Sequence, residues 1–263
     1  MFGPHSLILI LLVVLLLLVA TTKERFSRRL IFLSKKDTSQ FLQNDPDGYH
    51  ENMSVFDLRA QNAPNVQFVK QRASSSALDF TPYQKQIITR IVPIVDDFFQ
   101  NQLDIPFVDG QKLADLPWVI ALTRDRDYEQ GYPHTREDII FIPSGLFTPE
   151  DMNELAVTLA HEKVHVYSRL FPEEMKRWRI HNNYKPIGQL KDFYLARSNP
   201  DIDNIVYEKD GLPTVAIYNS EYPQGIFDAR YAGRSEDNPA YEHPNETLAY
   251  KIDQMFKQYL NNN

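Results

Sequence analysis

The sequence predicts an α+β domain in which a small sheet precedes a long central helix. Two runs of strand formers, "WVIALT" (Trp118–Thr123) and "DIIFIPSGLF" (138–147), lie ahead of a capped helical stretch reaching about Leu170. More helical stretches follow. Strands and helices that segregate along a chain in this way point to α+β rather than to regular βαβ alternation.

From the N-terminus, Leu7 to Ala20 is an unbroken run of Leu, Ile, Val and Ala, and no charged side chain precedes Lys23. As a helix, the charge-free stretch from Phe2 to Thr22 would span roughly 30 Å, enough for a bilayer core. Residues 1–22 therefore read as a transmembrane anchor. A cleaved signal peptide, and with it secretion, is the alternative. Against it, no Lys or Arg precedes the run, and "VATTKERF" is a poor small-residue cleavage site. The basic residues Lys23, Arg25, Arg28, Arg29, Lys35 and Lys36 all follow the run, which by the positive-inside rule places the bulk of the chain on the cytoplasmic side.

Residues 23–79 read as a basic flank and a polar tether, broken by "QNDPDGYHENMS", "QNAPN" and "RASSS". A folded domain is expected over 80–263. It opens with Thr81 as N-cap and Pro82 as first helical residue, followed by Ile87, Ile88, Ile91, Val92, Val95, Phe98 and Phe99 at helical spacing, with a kink expected at Pro93. After the two strands, Thr148-Pro149-Glu150-Asp151 supplies a cap, a proline at the first position and first-turn acids for the central helix. "PEEMKRWRIH" reads as a second, charged helix. "NIVYEKDGLPTVAIYNS" reads as two strands about a Lys-Asp-Gly turn. Pro244 opens a last helix to about Leu260, with Leu248, Ile252, Met255, Phe256 and Tyr259 as its apolar stripe.

Composition excludes some chemistry. There are no cysteines, so disulfides, thiolate metal sites and cysteine nucleophiles are ruled out. A net charge of −7 argues against nucleic acid as the main partner. Oligomeric state leaves no signal in the sequence.

The central helix carries "TLAHEKVHVYSRL". His161 and His165 are four apart, hence on one helical face a turn apart, where two imidazole nitrogens can aim at one cation. Glu162 directly follows the first, placed to take a proton from a water that the cation also binds. The neighbours Leu155, Ala156, Leu159, Ala160 and Val164 are apolar, as a helix that must hold its ligands still requires. The plainer reading is a pair of core or solvated histidines.

A third protein ligand is needed. The position six residues after His165 is Phe171, which excludes one common scheme, and a carboxylate from another helix is the next option. Glu246, in the first turn of the last helix, is the candidate; Glu242, His243, Asp201 and Asp203 are rivals. With these residues the chain resembles the zincin metallopeptidases, in particular the gluzincin type whose third ligand is a glutamate. Glu246-Thr-Leu-Ala249 is similar to the Glu-x-x-Ala helix of several such families, with a short local similarity to the anthrax lethal factor catalytic domain. The resemblance covers about a tenth of the chain. The segment between His165 and Glu246 is longer than in the simplest gluzincins, so an element must be inserted there.

That resemblance implies a zincin-like fold, a Zn2+ ion held by His161, His165 and Glu246, and Glu162 as general base for hydrolysis of a peptide or protein substrate. It also implies an edge strand ahead of the motif helix on which extended peptide pairs. Ile139, Ile140, Phe141 and Ile142 stand where that strand belongs, and a plain core strand is the other reading. His134 is placed to line the cleft. Tyr241 is the candidate oxyanion donor, because a tyrosine lies just ahead of the third ligand in the lethal-factor-like pattern; His243, Tyr250 and Tyr231 are alternatives. The expected function is thus a membrane-anchored zinc metallopeptidase, and the alternative is an inactive zincin-derived binding or structural protein at a membrane. Asp201 and Asp203 are too sparse for a calcium loop.

Overall fold

The computed structural model describes residues 29–148, 152–232 and 242–262. The expected anchor over 1–22 and Tyr241 lie outside them, as do Pro149, Glu150 and Asp151 of the expected helix cap. Among the described residues no helix is long and apolar enough to cross a membrane.

In chain order the elements are β1 (Leu30–Phe32), α1 (Lys35–Asn44), α2 (Val55–Ala60), α3 (Val66–Ser76), β2 (Ala77–Leu78), α4 (Pro82–Gln102), α5 (Gly110–Asp115), β3 (Trp118–Thr123), β4 (His134–Arg136) and β5 (Ile139–Pro143). Then come α6 (Met152–Leu170), α7 (Pro172–His181), β6 (Lys185–Gln189), β7 (Ile205–Lys209), β8 (Leu212–Thr214), β9 (Ala216–Tyr218), β10 (Ala229–Tyr231) and α8 (Pro244–Asn262). The fold class is α+β, as expected. Thr81 and Gln84 form a reciprocal capping box at the start of α4, and that helix runs through Pro93. Leu170 ends α6 and Pro172 opens α7. Asp210 and Gly211, both at positive φ, close the β7–β8 hairpin, the conformation that a two-residue turn of matching twist demands.

The main sheet runs β1-β3-β5-β4, with β2 also on β3. Strands β1 and β5 are parallel to β3; β2 is antiparallel to β3, and β4 to β5. Alternate residues point to opposite faces. Ile120, Leu122, Ile140 and Ile142 join α4, α6 and α8 in the large core, while Ala121, Ile139 and Phe141 join Leu42 of α1 and Ala73 of α3 in a second one. The sheet is therefore covered on both sides, which explains why β3 and β5 read as continuous apolar runs.

Two expectations are corrected here. Residues 29–79 are no tether: β1 is a strand of the sheet, and α1 to α3 cover one of its faces. The polar composition misleads because its charges are spent internally. Arg136 of β4, fully buried, donates to Asp45, Asp47 and Tyr128, and His50 lies 3.0 Å from Asp45. Second, β5 is not an edge strand. Ile139, Ile140 and Phe141 are paired with β3 on one side and β4 on the other, so they offer no open edge for added peptide; Ile142 is paired with β3 and buried. The edge is β4. Its outward-facing residue Thr135 is itself engaged: its N–H donates to Asp201 at 2.6 Å and its carbonyl accepts from Arg169 at 3.0 Å.

Candidate metal centre

Helix α6 lies against the sheet through Leu155, Leu159, Val164 and Val166, buried among the core residues. That seating presents His161 and His165 along one flank, their rings 4.9 Å apart. Helix α8 is held alongside by Leu248, Ala249, Ile252 and Phe256; Phe256 also packs on Phe98 of α4, with ring centroids 4.9 Å apart. The start of α8 is fixed by His243, whose Nδ1 accepts from the Asn245 N–H and whose carbonyl accepts from the Thr247 N–H, both at 3.1 Å. These contacts deliver Glu246, in the first turn, to the two histidines.

Glu246 Oε2 is 3.5 Å from His161 Nε2, and Oε1 is 3.7 Å from His165 Nε2. Two donors each about 2.0–2.2 Å from a tetrahedral ion stand roughly 3.3–3.6 Å apart, so this trio fits one such ion. His165 supports the fit. It is fully buried, and neither ring nitrogen has a hydrogen-bond partner among the described residues, an arrangement that a buried polar group does not ordinarily tolerate. Burial pushes its pKa down to about 3, which leaves it neutral, the form that ligates. His161 is oriented from behind: its Nδ1 lies 2.8 Å from Asp253 Oδ2. A carboxylate on the far nitrogen turns the near one toward a metal. Burial opposes charge on His161, but Asp253 and Glu246 outweigh it and lift its pKa well above the ordinary value. Burial works against Glu246 ionising too, and the two histidines overcome it, holding its pKa low.

Glu162 sits on the sheet side of the same flank, 3% exposed. Thr135 Oγ1 donates to its Oε2 at 2.8 Å. Burial raises its pKa to about 7, with His161 and the Thr135 bond pulling the other way. A carboxylate poised there can exchange a proton at neutral pH.

The rivals for third ligand have other partners. Glu242 is bound by Arg197 and Asn199. His243 Nε2 and Asp203 pair at 3.1 Å. Asp201 does form a second potential trio with Glu162 and His165, within 4.8 Å of one another, but Thr135 bonds both of its carboxylates and His165 is shared with Glu246. Glu246 is thus the better third donor. Asp201 and Asp203 turn to different partners, the first to Thr135 and the second to His243 and Arg179.

A cleft of about 440 Å³ opens over His161, Glu162 and Glu246, with His165 buried behind them. Tyr231 and Tyr250 line it, the Tyr250 ring 4.9 Å from that of His161. His243 does not line it. His134 is in its wall, but its ring is buried and stacks on Phe141 at 5.0 Å. Sequence reasoning missed Asp253, Thr135 and Asn199. Asp253 left a signal, since it follows Glu246 by seven residues and so returns to the same helical face. The other two left none. Comparison of the chain with family models, with curated proteins and with solved structures finds no match.

Proposed function

We propose that this chain is a zinc-dependent metallopeptidase of the zincin kind, with His161, His165 and Glu246 as zinc ligands and Glu162 as general base. One observation carries the reading: Glu246, from a helix some eighty residues further along, meets the two α6 histidines at ligand spacing. Zinc is favoured because two imidazoles and one carboxylate, with a cleft beside them, form the donor set of catalytic zinc sites.

A zinc ion held there would supply Lewis acidity, polarising a substrate carbonyl and lowering the pKa of a water to about 7. The chain does the rest. Glu162, fixed by Thr135, takes the proton of the attacking water and returns it to the departing amine. Asp253 keeps His161 in its ligating tautomer. Tyr231 or Tyr250 donates to the oxyanion from the cleft wall. Acids outnumber bases along that wall, which suits peptide rather than nucleic acid. With residues 1–22 as an anchor, such an enzyme would act on proteins near one membrane, from its cytoplasmic side.

Metal analysis should find about one zinc per chain, lost in the double variant His161→Ala/His165→Ala. Glu162→Gln should keep the metal and lose cleavage of a peptide library by roughly 10²–10⁴-fold. Equal cleavage by both proteins would take the base role from Glu162, and no cleavage by either would leave an inactive zincin-derived binding or structural protein at a membrane.

A further inference from the structure

The segment inserted between the two halves of the motif contains a loop, residues 195–203, that is pinned from several sides. Leu195 enters it at φ +63, a left-handed conformation that a branched residue adopts only under constraint. Its carbonyl accepts from the Tyr218 N–H at 2.8 Å, and the Arg197 N–H donates to Ala216 at 2.9 Å, which ties the loop to β9. Ser198 donates to the Asp57 carboxylate from both its N–H and its hydroxyl, each at 2.9 Å. The Pro200 carbonyl accepts from Arg169 of α6. Asp203 holds His243 at the head of α8.

Asn199 stands at the centre of this scaffold. Its Oδ1 accepts from the Asp201 N–H at 2.9 Å, which fixes which way the amide faces. Its Nδ2 is thereby turned to two carboxylates, Glu242 and Glu246, and lies 3.2 Å from Glu246 Oε1. Arg197 takes the other oxygen of Glu242. One amide with two hydrogens therefore joins two acids that would otherwise repel. It does so without adding a charge to compete for Glu246.

We propose that Asn199 is the positioning residue of the third ligand: its amide sets the rotamer of Glu246 and presents that carboxylate to His161 and His165. The inserted element is then part of the metal centre, holding the ligand through Oε1, the oxygen that also faces His165. The inference rests on the zinc reading above and deepens it. Outer partners of ligating carboxylates affect metal affinity about as strongly as partners of ligating histidines do.

The test is zinc affinity by competition with a chromophoric chelator, with the visible spectrum of the Co2+-substituted protein as a second readout, on the full chain and on Asn199→Ala and Asn199→Asp. Both variants should weaken zinc binding by roughly 10–100-fold and change the Co2+ bands. Asn199→Asp sets a third carboxylate against Glu242 and Glu246 and should lower the unfolding temperature, whereas Asn199→Ala adds no charge; both metal-free variants should keep the wild-type circular dichroism, which separates positioning from folding. Wild-type affinity with an unchanged Co2+ spectrum in both variants would overturn the assignment of Asn199 alone. Failure of the unsubstituted chain to bind zinc would overturn the reading of the centre itself.

Discussion

Asp253 Oδ2 lies 2.8 Å from His161 Nδ1, two helical turns beyond Glu246 on the same face of α8. One helix therefore supplies both a ligand-grade carboxylate and the group that orients a histidine on its neighbour. Asp253→Ala frees the far nitrogen of His161. Zinc affinity measured by chelator competition should fall roughly 10–100-fold. Affinity equal to wild type would show that His161 needs no such partner.

Helix α8 owes its place to apolar packing some distance from the polar centre. Phe256 is fully buried between α6 and α4. Phe256→Ala should cost about 3–5 kcal/mol in urea unfolding of the metal-free chain, through lost burial and the cavity left behind. A loss under about 1 kcal/mol would mean that α8 is held mainly by its polar first turn.

The buried cluster around Arg136 makes a separate prediction. Removing one partner from a buried ion network leaves the others uncompensated, so Arg136→Ala should destabilise by about 3–5 kcal/mol. Proteolysis of the variant should open residues 35–79 first, because Asp45 and Asp47 tie α1 and its following loop to β4. Cutting that begins elsewhere would contradict the role given to this cluster.

Two sets of buried acids should bend the stability profile in opposite senses. Burial works against ionised Asp45 and Asp47, yet His50 and Arg136 hold the first, and Arg136 the second, below the usual carboxylate range. Their stabilisation is present above the unfolded pKa of about 3.9 and is lost as pH falls through the folded values. Glu129 runs the other way: burial pushes it up to about 7 against Arg136, Tyr49 and Arg197. Its contribution is full below the unfolded value of about 4.3 and is lost as pH rises through about 7. Thermal scans should therefore show a decline on the acid side and a second between about pH 4.5 and 7. Glu129→Gln should reduce only the second, by up to about 3 kcal/mol, and Glu162, also pushed up to about 7, accounts for the part that remains. A variant profile parallel to wild type would refute the assignment.

The elements of the domain were legible where local rules decide them. The capping box at Thr81, the Pro172 and Pro244 starts, the Asp210-Gly211 turn and the apolar stripes of α4 and α8 each fix themselves within a few residues. His161, Glu162 and His165 were legible for the same reason, since helical spacing alone puts them together. The rest depended on pairing between distant parts of the chain. Nothing near Asp45 or Asp47 says that Arg136 will bury them, so a packed arm reads as a tether. Nothing in "DIIFIP" says that β4 will cover its outer side, so an internal strand reads as an edge. Asn199 is one asparagine among many until Glu242 and Glu246 are brought to it.

The place of β1 in the sheet bears on where such an enzyme could work. Leu30 is already paired with Trp118, so only residues 23–29 separate the apolar run from the folded body. Fully stretched, seven residues reach about 25 Å. If residues 1–22 lie in a bilayer, β1 is held within about that distance of the lipid, and the proposed enzyme works beside the membrane. Cleavable bonds would then have to lie on short juxtamembrane stalks or on proteins docked at that surface, and lengthening 23–29 by a flexible insert should widen the range of sites cut.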